Sequence, residues 1–536
     1  MDVQLTTQLL LDRMRSVHRQ GRVVTLLEPG GERRTTRFPD VAARASCLAA
    51  ALSRLGVGCG DCVGSFAWNT QAHLETYYAV MGMGAVLHTI NLRLHPQQIA
   101  YTNRHAGDRV VIVDASLADI LAELRPQLDC LEHVVVIGDR PGERAHDAEI
   151  DYDELVGSED GGFAWPDVDE RDAASLCHTS GTTGKPKGVL YSHRSIVLHA
   201  LSMSGADVYG IANHDRVLSL VPLFHAMGWG LPFVAAITGA DLIMPGRHLK
   251  PEPLARLIAD EQVTWSCGVP TLWMDLLQHA RERDAAGDPI DLSSLHTVLS
   301  GGTQVPYELM EEYSRRFGVD VIQGWGMTEI FPGGTISRVQ RDADEEQRRA
   351  RRQSAGRVSP LYELRVVDGA GDAVPSDGVS VGEIEVRGPV VASGYFRPEE
   401  PTAEKFHGGW LCTGDLGSLD ADGWLQITDR KKDAIKSGGE WISSLDLEAA
   451  IMAHPLVREA AVVAVPHERW GERPRAYLVA DVALTEQELR DFLATRVASW
   501  WIPDEFVSVD ALPRTSTGKF DKKVLRDSTS GHGDAD

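Results

Sequence analysis

The sequence predicts an α/β protein that ends in a smaller α+β part. Short valine-rich runs alternate with stretches of helical periodicity over most of the chain, which argues for layered parallel sheet and helix. One later stretch, Glu383-Ile-Glu-Val-Arg387, alternates with period two, as half-exposed sheet does. Beyond about residue 430 the texture changes to compact strand pairs with one well-capped helix.

Arg109-Val-Val-Ile-Val-Asp114 and His133-Val-Val-Val-Ile-Gly138 read as buried strands, as does Ala173-Ala-Ser-Leu-Cys177. A helical pattern over Leu254–Gln262 precedes the strand-like Val263-Thr-Trp-Ser266. Near the end, strands are expected around 461–466 and 476–480. Thr485-Glu-Gln-Glu488 has the spacing of a capping box, with Leu489, Phe492, Leu493 and Val497 following on one helix face. The expected domains are 1–430, 431–528 and a disordered tail at 529–536, with fraying already from Asp527. The charge run 341–353 is read as an exposed helix or loop.

Composition narrows the function. The 536 residues allow about three or four folding units, so a large core is available without disulfides. The net charge of −24 argues against a nucleic-acid backbone as the main partner. Seven scattered cysteines do not make a secreted disulfide framework, and Cys59-Gly-Asp-Cys62 lacks further ligands for zinc. The N-terminal residues show no signal peptide. Between Val217 and Ala240 there is no Asp, Glu, Lys or Arg, but Pro222, His225, Gly228, Gly230 and Pro232 interrupt the run. It is therefore read as two buried segments joined by a functional turn rather than a membrane span, and a cytoplasmic protein is expected.

The strongest local signal is Thr179-Ser-Gly-Thr-Thr-Gly-Lys-Pro-Lys-Gly188. Its glycines can turn N–H groups inward, its hydroxyls add donors, and Lys185 and Lys187 bring charge, which suits a polyphosphate. It is not a Walker A loop, because Pro186 follows Gly184-Lys185. The stretch resembles the phosphate loop of the adenylate-forming (ANL) superfamily. Six further motifs of that superfamily follow in its order: Ser300-Gly-Gly-Thr303, Gly324-Trp-Gly-Met-Thr-Glu329, Trp410-Leu-Cys-Thr-Gly-Asp415, Asp429-Arg-Lys-Lys-Asp433, Lys436-Ser-Gly-Gly-Glu-Trp441 and Pro513-Arg-Thr-Ser-Thr-Gly-Lys519. The likeness runs from about residue 25 to 525, and the branch it is most similar to is that of the medium- and long-chain fatty acyl-CoA synthetases.

The resemblance implies a large N-terminal domain, a small mobile C-terminal domain, and ATP-dependent activation of a carboxylic acid as acyl-AMP before transfer to CoA. By resemblance, Glu329 ligates Mg²⁺ and Thr328 donates to the α-phosphate. Thr179, Ser180, Gly181, Thr182, Thr183, Gly184 and Lys187 hold the phosphates. Gly301, Gly302, Thr303, Gln323, Gly324, Trp325, Gly326 and Met327 surround the adenine, while Asp415, Ile427 and Arg430 serve the ribose side. Lys519 bridges carboxylate and α-phosphate. Lys432 is the hinge, and Lys436, Ser437, Gly438, Gly439, Glu440 and Trp441 line the thiol path. His225, Trp229, Gly302, Gly326, Met327 and Phe331 wall the acyl pocket, with Thr303 beside them, Trp229 as a gate and His225 over the acyl carbonyl as a further catalytic residue. His178 stands where this family often has Tyr. The charge-free 217–240 segment speaks against an amino-acid substrate, whose ammonium would need a buried partner. Transfer to a carrier protein, a luciferase-like oxidation and a non-catalytic nucleotide sensor are the competing readings. The family likeness also implies a homodimer.

Overall fold

The computed structural model describes residues 1, 3–138, 149–179, 185–340, 343–437, 440–480, 482–514 and 520–529. Expectations for Ser180–Gly184, Gly438, Gly439 and Lys519 lie outside these residues. The chain forms two compact units. One comprises Met1–Thr179, Lys185–Tyr362 and Arg387–Gly409, and the other comprises Glu363–Val386 and the chain from Trp410 onward.

The first unit contains two sheets. In one, the strands Glu149–Asp151, His133–Ile137, Val110–Asp114, Cys62–Phe66, Val86–Thr89, Ala173–His178 and Gly188–Ser192 lie side by side. Every pair is parallel except the last. Val110, Val111, Ile112 and Val113 are all buried, the signature of a central strand covered on both faces. The helix Pro96–Ala106 packs here. His95 caps it in a capping box, and Gly107 ends it at φ 77°. In the second sheet, the parallel strands Asp320–Trp325, Thr297–Gly301, Trp265–Gly268, Arg216–Ser219, Asp241–Met244 and Arg22–Leu26 are neighbours in that order. A core of Leu, Ile and Val around Trp273 and Tyr313 backs this sheet.

The segment 217–240 resolves into the strand Arg216–Ser219, an irregular buried stretch, and the helix Leu231–Thr238. Among the described residues, no helix is long and apolar enough to cross a membrane. The charged run carries the helix Glu345–Gln353, capped by Asp344 and with none of its residues buried.

In the second unit, Trp410–Leu419 pairs antiparallel with both Gly382–Arg387 and Trp424–Arg430. A smaller sheet contains Ile435–Ser437, Gly471–Ala480, Val457–His467 and Glu505–Ser508. The expected junction at 430/431 falls inside this unit, at the end of Trp424–Arg430. Thr485 and Glu488 make the expected capping box on the helix Glu486–Leu493. Val497 is not on that helix, as its periodicity suggested. It reaches the same core from the following turn, where its N–H bonds back to the Leu493 carbonyl at 3.0 Å. The fraying expected from Asp527 is corrected for 527–529, which belong to the helix Lys522–Thr529, while 530–536 of the expected tail lie outside the described residues. That helix is tied down by buried Leu525 and by ion pairs of Lys522 with Glu448 (2.7 Å) and Arg526 with Asp433 (2.6 Å).

Removing the Thr485 cap tests how much the helix Glu486–Leu493 relies on it. Thr485→Ala should cost about 1 kcal/mol of local stability. The expected result is faster hydrogen exchange at the first-turn amides of that helix, with the amides of Val457–His467 unchanged.

Candidate functional site

The glycine loop is the connection between two antiparallel strands, with His178 paired to Gly188. Thr179 closes its base: its N–H donates to the Lys187 carbonyl at 2.9 Å, and its Oγ1 accepts from the Lys187 N–H at 3.1 Å. A second segment clasps the same base. The Phe396 N–H donates to the Gly188 carbonyl at 2.8 Å, and Lys185 Nζ meets both carboxylate oxygens of Glu399 at 2.9 Å. Lys187 Nζ lies 5.1 Å from the centre of the Tyr395 ring, over its face.

Glu329 sits on a single 3-10 turn, Thr328–Ile330, after the strand Asp320–Trp325. The turn is braced by phenols and one amide. Tyr191 donates to the Thr328 carbonyl (2.5 Å), Tyr362 to those of Ile330 (2.9 Å) and Phe331 (3.0 Å), and the Ala392 N–H to that of Glu329 (2.8 Å). Gly326 is required at the entry, because a Cβ there would stand 2.8 Å from the Gly333 nitrogen. The Glu329 residue is only 6% exposed, and its Oε1 accepts from the Tyr395 hydroxyl at 2.5 Å. Among the described residues no Lys or Arg forms an ion pair with it. A buried carboxylate partnered by one neutral phenol and no protein cation fits a group that completes its charge balance with a metal ion.

The apolar stretch builds an unusual turn. Ala226, Met227, Gly228, Trp229 and Gly230 all have positive φ, from 36° to 75°. The non-glycine members are strained there, at about 1–2 kcal/mol each. Neutral donors hold the surrounding carbonyls. Asn69 Nδ2 reaches those of Ser219 (2.9 Å) and Val221 (2.8 Å), Tyr78 that of Pro232 (2.9 Å), Tyr209 that of Trp229 (2.9 Å), and Tyr77 that of Leu223. The turn lays the Trp229 ring against Gly301, where a Cβ would come within 3.3 Å of Cη2. Gly302 (φ 91°) and Thr303 are exposed, and His225 is half-buried. Met327 is half-buried, and Trp325 lies over Gly334, where a Cβ would meet its ring at 2.8 Å. Gly324 is equally confined, with Ile336 Cδ1 at 2.8 Å from its missing Cβ. The Phe331 ring has no exposed surface and stacks on His199, with centroids 4.0 Å apart. Gln323 is buried with its polar atoms engaged inside the unit. Its Nε2 donates to the Arg352 (2.9 Å) and Ser354 (2.6 Å) carbonyls, and its Oε1 accepts from the Val305 N–H.

In the second unit, buried Asp415 lies opposite Arg430 across two strands, with Arg430 Nε 3.1 Å from Asp415 Oδ1. Ile427 is half-buried on the same strand as Arg430. Lys432 is exposed in the turn that follows. The Lys436 N–H donates to Glu472 at 2.8 Å, and the Ser437 hydroxyl accepts from Arg473 at 3.2 Å. Glu440 and Trp441 continue into a strand, Glu440–Ile442, that turns back on Ile435–Ser437.

Within the first unit, the structure thus links Lys187 to Glu329 through Tyr395, and Trp229 to Gly301. Within the second it joins Asp415 to Arg430. Sequence reasoning missed Tyr395 and Glu399. The only signal was the run Tyr395-Phe-Arg-Pro-Glu399, aromatic, basic and acidic in turn within an otherwise plain loop. Tyr191, Tyr209 and Asn69 carried no local signal.

Comparison with known proteins agrees with this geometry. Residues 14–396 match the AMP-binding enzyme family, and 446–519 match the AMP-binding enzyme C-terminal domain. The chain is 42% identical over 529 residues to the 3-methylmercaptopropionyl-CoA ligase of Ruegeria lacuscaerulensis, covering 97% of this chain and 96% of that one. It is 41% identical to the long-chain-fatty-acid–CoA ligase of Thermus thermophilus, covering 98% and 96%. Its fold superimposes on the anthranilate CoA ligase AuaEII in complex with anthranoyl-AMP with a TM-score of 0.87, at 28% identity, covering 99% and 98%. From the glycine loop to the capped C-terminal unit, the chain belongs to the AMP-binding enzyme family, the adenylate-forming enzymes.

Proposed function

We propose that the protein is an AMP-forming acyl-CoA ligase for an apolar monocarboxylic acid. The observation that carries this reading is Glu329, a buried carboxylate with no cation paired to it among the described residues, joined through Tyr395 to the lysine-bearing edge of the glycine loop. Its two relatives above are ligases of a short thioether acid and of long-chain acids, both without a second charged group.

In the first step a carboxylate oxygen attacks the α-phosphorus of ATP and pyrophosphate leaves. Two anions must meet, so positioning and positive charge are the whole task of the protein. Lys187 supplies charge at the glycine loop, Glu329 would hold Mg²⁺ against the phosphates, and Thr328 and Lys519 meet the α-phosphate. Asp415, braced by Arg430, offers two acceptor oxygens to the ribose diol. In the second step the CoA thiolate attacks the acyl carbonyl and AMP leaves as the phosphoryl oxygen takes the bond's electrons. Gly438 and Gly439 leave room for the thiol, and Lys432 is the hinge between the two steps. A homodimer in the cytoplasm belongs to the same reading.

The acid lies along the 220–231 turn. That turn holds no charged side chain, and it is held by neutral donors. A second carboxylate or an ammonium on the substrate would be buried there without a partner, at a cost of several kcal/mol.

ATP–pyrophosphate exchange across a panel of acids tests the proposal. Apolar monocarboxylic acids should support exchange, amino acids and dicarboxylic acids should not, and mass spectrometry should find the acyl group on free CoA. Exchange with no acid at all, or a product only on a carrier protein, refutes it. Lys519→Ala should cripple exchange while sparing thioester formation from preformed acyl-AMP, and equal loss in both half-reactions would remove its assigned role. Glu329→Gln should raise the magnesium concentration needed for half-maximal exchange by about tenfold or more, the effect of losing roughly 1.4 kcal/mol of ion binding. An unchanged magnesium requirement would exclude Glu329 as the ligand.

A further inference from the structure

His178, the residue before the glycine loop, is the middle of a continuous hydrogen-bonded line. Asp108 Oδ2 is 2.8 Å from His88 Nδ1, and His88 Nε2 is 3.0 Å from His178 Nδ1. His178 Nε2 is 3.0 Å from His105 Nδ1, and His105 Nε2 is 3.1 Å from the carbonyl oxygen of Arg397. Asp108, His88 and His178 are buried, and His105 is half-buried at the end of its helix.

Proton counting on this line gives a definite result. Each neutral imidazole has one donor and one acceptor nitrogen. If Asp108 is ionised and all three rings are neutral, three protons serve four contacts and one contact has none; with each ring turned to donate toward the carboxylate, the polarity runs one way. Asp108 accepts from His88, His88 from His178, and His178 from His105. The last nitrogen, His105 Nε2, is then a bare lone pair facing the Arg397 carbonyl, and two acceptors meet at 3.1 Å. One added proton removes the clash in either of two ways. In the first, Asp108 is a carboxylic acid, with all three rings reversed and donating outward. In the second, His105 is an imidazolium that donates at both ends. The two forms interconvert by shifting protons along the line.

We propose that Asp108, His88, His178 and His105 form a relay that holds this one extra proton, and that the proton positions the glycine loop. The proposal rests on the reading of that loop as the phosphate site. The link to the loop is direct. His178 is bonded to Thr179 and pairs with Gly188, so it sits at the loop's base. At the other end, the Arg397 carbonyl belongs to the segment whose Phe396 N–H and Glu399 carboxylate clasp Gly188 and Lys185. Arg397 is held at φ 40°, a strained conformation that persists only when its contacts fix it. When the proton leaves, the His105–Arg397 contact becomes repulsive and the clasp loosens.

The surroundings agree. Burial pushes the Asp108 carboxyl up, and among the described residues its Oδ1 has no hydrogen-bond partner, which a neutral acid tolerates better than a carboxylate does. Burial and the two flanking rings push His178 far down, so the extra proton belongs at the ends of the line. The other titratable groups facing the relay change charge elsewhere. Lys185 is held up and Glu399 held down by their mutual bond, Tyr101, which stacks on His105, is pushed up, and the Cys62 thiol near Asp108 and Arg397 is pushed up to about 12. The Arg397 guanidinium donates to the His105 carbonyl and remains charged throughout.

The test is the KM for ATP in pyrophosphate exchange by the full-length protein as a function of pH. In the wild type it should rise by about three- to tenfold across a single titration as pH increases, the worth of one such hydrogen bond, with kcat less affected. In Asp108→Asn, the amide N–H donates to His88 as the carboxylic acid would and cannot be lost, so the KM should stay at the low-pH value at every pH. Identical pH profiles in wild type and Asp108→Asn overturn the proposal. Should Asp108→Asn fail to fold, His178→Phe serves: it cuts the line and frees His105 to carry its single proton on Nε2 and donate to Arg397, so its KM should be flat at the low value, and a retained wild-type profile overturns the proposal equally. Ring ¹⁵N spectra of the histidines provide a readout that does not depend on ATP. The three rings should change together in one step, and three independent titrations would refute the relay. Absence of exchange with every acid, beside a concerted ring titration, would fail the phosphate-site reading and leave the proton count standing.

Discussion

A buried backbone that is neither helix nor strand must find a donor for nearly every carbonyl, and residues 219–232 are where this protein meets that demand. No charged side chain lies in the segment, so the donors come from elsewhere in the fold and are neutral: the amide of Asn69 and the phenols of Tyr77, Tyr78 and Tyr209. The same contacts hold five successive residues at positive φ against their intrinsic preference. A cation in place of any of these donors would put an uncompensated charge in this buried apolar segment. The choice of phenol and amide keeps the pocket uncharged while keeping its walls rigid, and the position of Trp229 over Gly301 follows from it.

The same economy recurs around Glu329. Tyr191, Tyr362 and Tyr395 brace its turn and its carboxyl group through hydroxyls. No cation pairs with that group among the described residues. An arginine at position 395 would satisfy the same oxygen but form an ion pair that a metal would have to displace, at a cost of several kcal/mol for a buried pair. Tyrosine gives orientation without competition.

Much of this was legible in the sequence because it depended on local pattern. The valine runs at 110–113 and 134–136, the Thr485 capping box and the exposed charged helix after Asp344 are each set by a few adjacent residues, and the structure contains them. The glycine-bearing motifs were legible for a related reason: Gly326 and Gly301 stand where a single added carbon would collide with backbone. Val497 misled because helical periodicity continues to favour it after Leu493, although the chain has already turned. At 527–529 the chain is helical where fraying was expected, because composition does not reveal that Lys522 and Arg526 find carboxylates 74 and 93 positions earlier in the chain. Tyr395 and the histidine line were illegible for the same reason. His88, His105 and His178 are ordinary histidines until parallel pairing of two strands and the end of one helix bring their rings within 3.0 Å of one another.

The exposed cations of the site follow a different rule from its buried anion. Lys185 rests on Glu399 with both side chains more than half exposed. An exposed pair of this kind contributes about 0–1 kcal/mol, so a phosphate can take the lysine from its carboxylate at little cost. Until then the pair keeps the long side chain ordered and near the loop, so less conformational entropy is lost when the phosphate arrives. In a chain of net charge −24 the alternative, unpaired lysines beside a glycine loop, would bind any anion or acidic side chain that came near. Among the described residues the lysine is held by a weak, exposed partner and Glu329 by no cation, so neither charge is firmly paired.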